Sequence, residues 1–309
     1  MLTQPGLSIE SCLKTSNLWL KFLYHWKKWR ASLASAQRVK EAPLFIATII
    51  KNERPYLKEW IDFHLAQGVR RIYIADNGSK DDPISVLLPY MESGKVYFQR
   101  TRSKAWSIRL QALELNRLLS NISLAEGKHA WVAVFDIDEY LWHTEGRKLI
   151  SFLQDFKNQK IASISVNWLM FGTNGVKHLD TEKPMLEQLT MRAHVSLGEH
   201  KMVKPILYLR NTAGFLEGPH YAFAKGDAQD IYSDGSPYLP KEPKIVHQPL
   251  CLNHYWYRDE AYYNSEKRAK RLAFGDERSG KRESDHIRAC NYEEDRRILE
   301  KGPFTSNSN

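Results

Sequence analysis

The chain has 309 residues, 42% of them hydrophobic and 26% charged, which leaves room for one large α/β domain with additions, or two small domains, and excludes global disorder. A net charge of +9 suits phosphate-bearing ligands, anionic membrane or nucleic acid, without choosing among them. The three cysteines, Cys12, Cys251 and Cys290, are odd in number and far apart, which argues against a disulfide framework or a CxxC zinc site and fits a reducing compartment.

No apolar run approaches the ~18 residues needed to span a bilayer. The N-terminus has no basic stretch followed by an apolar one, so no signal peptide is expected. Residues 17–30, NLWLKFLYHWKKWR, would instead form a basic amphipathic helix. Trp19, Phe22, Leu23, Trp26 and Trp29 gather on one side of it, with Lys21 and Lys28 opposite. Such a helix either lies in a membrane interface or packs on its own domain or a partner chain. Residues 1–42 are taken as this helix plus a linker.

A buried strand follows at Leu44–Ile50, continuously apolar and β-branched in the manner of a parallel strand covered on both faces. Pro55 opens a helix through Leu57, Trp60, Ile61 and His64, and Gly68 stops it. A second strand, Arg71–Ala75, runs into the turn chemistry of DNGSKDD at 76–82. A short helix over 84–90, a third strand over 95–99 and a longer helix over 108–119 lead to the strand Trp131–Phe135. This β-α-β-α-β-α-β order predicts a parallel sheet with helices on both sides. Ligands of such sheets sit beyond the carboxyl ends of the strands. Three of those ends are polar: Lys51-Asn52-Glu53, Asp76-Asn77-Gly78-Ser79 and Asp136-Ile137-Asp138-Glu139.

Past Glu139 the alternation breaks down. A helix over 147–158, a strand over 162–166 and a loop WLMFGTNG at 168–175 are expected, then short strands and turns over 180–250 and a charged, partly helical stretch from 262 to 298.

The FDIDEY stretch carries the sharpest chemistry. On an extended backbone Asp136 and Asp138 would point to the same side. Two hard carboxylates there suit Mg²⁺ or Mn²⁺, which would in turn neutralise a diphosphate leaving group. DxD phosphatases use the first Asp as nucleophile and the second as general acid. Their motif, however, follows the first strand of the domain rather than the fourth.

KNERPYLKEWIDFHLAQGVRRIYIADNGSKDD followed by FDIDEYL, a Trp-x-x-Phe-Gly loop, Lys-Pro and a late His-Tyr together resemble the GT-A glycosyltransferases of families 2 and 92, over approximately residues 43–275. The resemblance implies a Rossmann-like α/β fold with a mostly parallel central sheet, a nucleotide-sugar donor, a divalent metal (Mn²⁺ or Mg²⁺) and inverting transfer. It implies that Asp136 and Asp138 hold the metal and diphosphate, with Asp138 also counted as catalytic. Asn52, Glu53, Asp76 and Asn77 would line the nucleoside pocket, where a carboxylate accepts from a uracil N–H. His254, with His220 as its rival, would complete the metal shell. Lys204, and also Lys267, would screen phosphate charge, and Trp168, Phe171 and Gly172 would position the acceptor.

The general base is not marked by any motif. Glu217, in a Gly/Pro-punctuated loop past the metal motif, is the first candidate, with Asp180, Glu187 and Asp285 as alternatives. Residues 276–309 are taken as a charged C-terminal tail. The acceptor is expected to be a glycan or a lipid-linked glycan, assembled in the cytoplasm or at the inner face of a bacterial membrane. The competing reading is a basic membrane- or nucleic-acid-binding module without catalysis, although no nucleic-acid motif of the right spacing is present.

Overall fold

The computed structural model describes residues 41–102, 107–156, 159–268 and 280–304. The expected amphipathic helix at 17–30 lies outside them.

The expected alternation is present in the first half. Strand β1 (Leu44–Ile50) sends Leu44, Ile46 and Ile50 into one apolar cluster and Phe45 and Ala47 into another. Both faces are covered, which is why the strand is apolar throughout. Helix α1 (Arg54–Ala66) has its proline in the first turn and buries Leu57, Trp60, Ile61 and His64. Burial of each large apolar side chain contributes about 1.5–3 kcal/mol. The chain turns at Gly68, whose φ is +92°, and a Cβ there would lie 2.4 Å from Ile150 Cγ2. Glycine is required on both counts.

Strand β2 (Val69–Asp76), helix α2 (Ile84–Glu92) and strand β3 (Val96–Arg100) follow. Helix α3 (Ile108–Glu126) is capped by the Ser107 side chain, which accepts from Leu110 N at 3.1 Å. Its buried residues Ala112, Leu115, Leu118, Leu119 and Ile122 recur every three to four positions and form the second cluster with β1. Strand β4 (Trp131–Val134) completes the unit.

The second half adds antiparallel members. Strands β5 (Glu139–His143), β6 (Ile161–Met170), β7 (Met191–Arg192), β8 (Val203–Tyr208), β9 (Thr212–Phe215), β10 (Ala222–Ala224), β11 (Gln229–Tyr232), β12 (Leu250–His254) and β13 (Glu293–Glu294) appear in chain order. The main sheet has nine strands in the order β3-β2-β1-β4-β8-β6-β12-β5, with β11 on β6. Pairs β1·β2, β1·β4, β2·β3, β6·β11 and β6·β12 are parallel, while β4·β8, β6·β8 and β5·β12 are antiparallel. The molecule is thus mixed α/β with a large, mostly parallel sheet.

Two expectations are corrected. Trp168–Met170 were placed in a loop but extend β6, because they pair with Leu252–His254 of β12. Of the helix expected over 147–158, the described residues form Leu149–Leu153 and a single 3₁₀ turn, Gln154–Phe156, and 157–158 lie outside them. The stretch after 283 is tied to the body of the molecule: Ile298 is buried in the main cluster and β13 pairs with β7. Among the described residues no helix is long and apolar enough to cross a membrane.

Candidate active site

β1 lies between β2 and β4, and all three run parallel. The ends bearing Asn52 and Glu53, Asp76, and Asp136 therefore emerge on one edge of the sheet. The turn after β4 is not extended, as the same-side placement of the two aspartates had assumed. Glu139 N donates to Asp136 O at 3.1 Å, closing a tight turn over Ile137, which is buried. The turn leaves the Asp136 side chain 42% exposed and buries that of Asp138 to 4%.

Each aspartate faces a lysine. Lys204, on β8, is fully buried and places Nζ 2.7 Å from Asp136 Oδ2 and 3.3 Å from Glu139 Oε2. Lys267 Nζ lies 2.5 Å from Asp138 Oδ2 and 3.9 Å over the Trp256 ring. Burial alone would raise both carboxyls. Lys204 outweighs it at Asp136, and Lys267 with His254 does so at Asp138, holding both below the usual carboxylate range. Burial lowers the Lys204 ammonium in the same way, but Asp136 and Glu139 more than offset this and the group stays charged.

Glu139 was not singled out from the sequence as a site residue. Burial pushes its carboxyl up to about 8. The Asp136 and Asp138 carboxylates push the same way, while its direct partners are donors that oppose the rise: Trp168 Nε1 at 2.7 Å, Asp136 N at 2.9 Å and Lys204 Nζ. Hydrogen bonds and a buried ammonium of this kind favour the charged form of the carboxyl.

The register of β12 explains the place of His254: it pairs with Glu139 of β5 and Met170 of β6. Its Nε2 is 3.6 Å from Asp138 Oδ1, and its Nδ1, buried, has no hydrogen-bond partner among the described residues. Burial lowers its pKa, with Asp138 opposing, so the imidazole is neutral at pH 7. The Trp168 ring lies between the two candidate histidines, with ring centroids 4.3 Å from His254 and 5.4 Å from His220. His254 is therefore the one beside Asp138. His220 Nδ1 bonds Val203 O at 2.8 Å, which fixes the proton on that nitrogen.

At the nucleoside end, Asp76 Oδ1 accepts from Ser79 N at 3.0 Å and from Ser79 Oγ at 2.5 Å. Ser79 Oγ in turn receives Asn52 N at 3.0 Å, and Asn52 Oδ1 accepts from Lys80 N. Asn52 adopts φ +56°, in the left-handed region. Asn77 Oδ1 accepts from Thr101 Oγ1 at 3.1 Å. Glu53 does not cap α1 with its side chain. It pairs at 2.7 Å with Arg258, which is fully buried between the rings of Tyr56 and Tyr262. Neither Arg258 nor its bond to Glu53 carries a spacing signal; only folding reveals them.

The remaining acceptor candidates pack rather than line a cleft. Phe171 is fully buried, its ring 4.7 Å from that of Tyr255. Gly172 backs onto the helix end at 290–291, where a Cβ would sit 2.2 Å from Asn291 Oδ1. Glu217 is exposed in the turn between β9 and β10 that also carries His220. Asp180, Glu187 and Asp285 lie on exposed segments.

The residue types at 136–139 and 254 suit a hard divalent cation. Lys204 and Lys267 take the Oδ2 atoms, which leaves Asp136 Oδ1, and Asp138 Oδ1 where it faces His254 Nε2, as the oxygens for such an ion. Among the described residues no three His, Cys, Asp or Glu side chains form a closed cation cluster. Two carboxylates plus substrate phosphates is the usual way Mg²⁺ is held, so an open set is consistent with the ion.

Relatives identified by sequence include a glycosyltransferase family 92 protein of Ricinus communis, 28% identical over 145 residues, covering 46% of this chain and 25% of the relative. A family 92 protein of Oryza sativa subsp. japonica is 29% identical over 139 residues, covering 45% and 23%. The chain thus spans about a quarter of the length of these relatives. Structural comparison finds S. aureus TarS 1-349 in complex with UDP-GlcNAc at 15% identity and TM-score 0.31, covering 54% of this chain and 45% of that one. It also finds glucosyl-3-phosphoglycerate synthase from Mycobacterium tuberculosis at 15% identity and TM-score 0.28, covering 54% and 50%. The family model of glycosyltransferase family 92 matches residues 46–268, the stretch that supplies every strand end and side chain of the acidic site, and the chain belongs to that family.

Proposed function

We propose that this chain transfers a sugar, with inversion, from a nucleoside-diphosphate sugar, a UDP-sugar first, to a glycan or lipid-linked acceptor. The observation that carries this is the alignment of three parallel strand ends on one edge, with Asp136, Asp138 and His254 at one end and Asp76 with Asn52 at the other. A nucleoside fits the second group and a diphosphate the first.

Mn²⁺ or Mg²⁺, held by Asp136 and Asp138 with His254 alongside, would supply positive charge to the departing diphosphate. The chain's own groups do the rest. Lys204 and Lys267 hold the two aspartates in place and add fixed positive charge where the leaving group develops its negative charge. Trp168 fixes Glu139 and borders the acceptor side. Glu217, exposed on the β9–β10 turn, is the proposed base that takes the acceptor hydroxyl proton.

The test is release of nucleoside diphosphate from a panel of UDP- and GDP-sugars, with manganese or with EDTA. The proposal expects release from at least one donor, lost with EDTA and lost in Asp138→Asn. No release from any donor, together with steeply salt-dependent binding of duplex DNA or RNA, would favour the basic binding module instead.

A further inference from the structure

Beside the acidic site lies a separate pocket of about 330 Å³, formed where the β9–β10 turn and the segment after β11 close over the start of β6. Two of its rings, Tyr221 and Tyr238, stack with centroids 6.0 Å apart and planes within 22°. Tyr221 is 44% exposed and Phe223, on the same wall, 56% exposed. Solvent-facing aromatic surface of this kind, in a cleft of this volume, is the usual lining of a small-ligand site. The polar groups are few and specific. Asp230 Oδ1 accepts from Ser163 Oγ at 2.6 Å. The Tyr238 hydroxyl is buried near that of Tyr221 and makes no well-formed hydrogen bond among the described residues. A buried hydroxyl without a good partner is destabilising, and a bound polar ligand would relieve this. Among the described residues no lysine or arginine lines the pocket.

His220 joins this pocket to the acidic site. It lines the pocket, and its ring packs against Trp168, whose indole nitrogen bonds Glu139.

We propose that this pocket is the subsite for a neutral pyranose of the acceptor, a reading that rests on the glycosyltransferase function above. The apolar C–H face of a sugar ring lies on Tyr221 and Phe223, while its hydroxyls donate to Asp230 and accept from the Tyr238 hydroxyl. A carboxylate with no cation among the lining groups rejects uronates and sugar phosphates. The acceptor end at this subsite is therefore an uncharged glycan, and the lipid diphosphate of a lipid-linked acceptor does not enter it.

The experiment is calorimetric titration of the full chain with tetrasaccharides of glucose, galactose and mannose, and with tetragalacturonate, for wild type, Phe223→Ala and Asp230→Asn. Melting temperature in UDP and manganese is followed on the same samples. The expected result is saturable binding of at least one neutral tetrasaccharide, weakened tenfold or more in both variants, and no binding of tetragalacturonate. Phe223 is exposed, so its variant keeps the fold, and the UDP-dependent shift reports this directly. Absence of any neutral-sugar binding, equal binding of the uronate, or unchanged affinity in both variants each overturns the proposal. A missing UDP shift in wild type would overturn the donor reading while leaving the titration to judge the pocket.

Discussion

Lys204 shows how one side chain couples stability to the site. Its ammonium is fully buried between Asp136 and Glu139. Lys204→Met leaves Glu139 buried without its cation, and removing one member of a buried pair costs about 3–5 kcal/mol. The share due to Asp136 is smaller, because that group is part-exposed and screened by solvent. Urea unfolding should show a loss of at least about 3 kcal/mol; a loss under about 1 kcal/mol would mean that the pair is not formed. His64 tests burial away from the site. It is fully buried, with Nδ1 bonded to Trp60 O at 2.9 Å, and burial lowers its pKa to about 4. The unfolded chain then binds this proton below about pH 6.5 while the folded chain does not until about pH 4. Stability from this group is complete above pH 6.5 and is lost as pH falls to 4, by up to about 3 kcal/mol. The unfolding free energy of wild type should therefore fall more steeply over that window than that of His64→Gln. Parallel profiles would show that the imidazole is accessible to protons.

At the scale of elements, local chemistry decided what could be read in advance. β1, α1 and β2 were legible because their signals are contiguous: an apolar run, a first-turn proline, a stopping glycine and a polar turn cluster. β5 was not, because Glu139–His143 becomes a strand by pairing with Leu250–His254, more than a hundred positions away. The same distant partner turns Trp168–Met170 from an expected loop into strand. Gly172 belongs to this class of non-local constraint. A Cβ there would meet Asn291 Oδ1 at 2.2 Å and the Cys290 carbonyl at 2.7 Å, and the carbonyl is backbone that yields poorly. Gly172→Ala should cost about 1–3 kcal/mol in thermal or chemical unfolding. Gly198→Ala, where nothing lies within 4 Å and φ is not positive, should stay within about 0.5 kcal/mol. Equal effects at the two positions would contradict the packing of 290–291 against β6.

For the whole molecule, the parallel half places the functional groups and the antiparallel half supplies their counter-charges. Asp136 and Asp138 were legible as a motif because they adjoin in sequence. The groups that hold them, Lys204 on β8, His254 on β12 and Lys267 beyond it, come from strands and turns that only the sheet order brings together. Arg258, buried against Glu53, lies further still from any local pattern. The donor and metal assignments depend on the edge where β1, β2 and β4 end. The most direct measurement is the melting temperature of the chain with UDP, with manganese, and with both, in wild type and in Asp138→Asn. A ligand at 100 times its Kd stabilises by about 2.7 kcal/mol. We predict a clear upward shift in wild type only when both are present, and none in a folded Asp138→Asn. An equal shift in the variant, or none in wild type at saturating UDP and manganese, would contradict the assignment of Asp136 and Asp138 to the donor diphosphate.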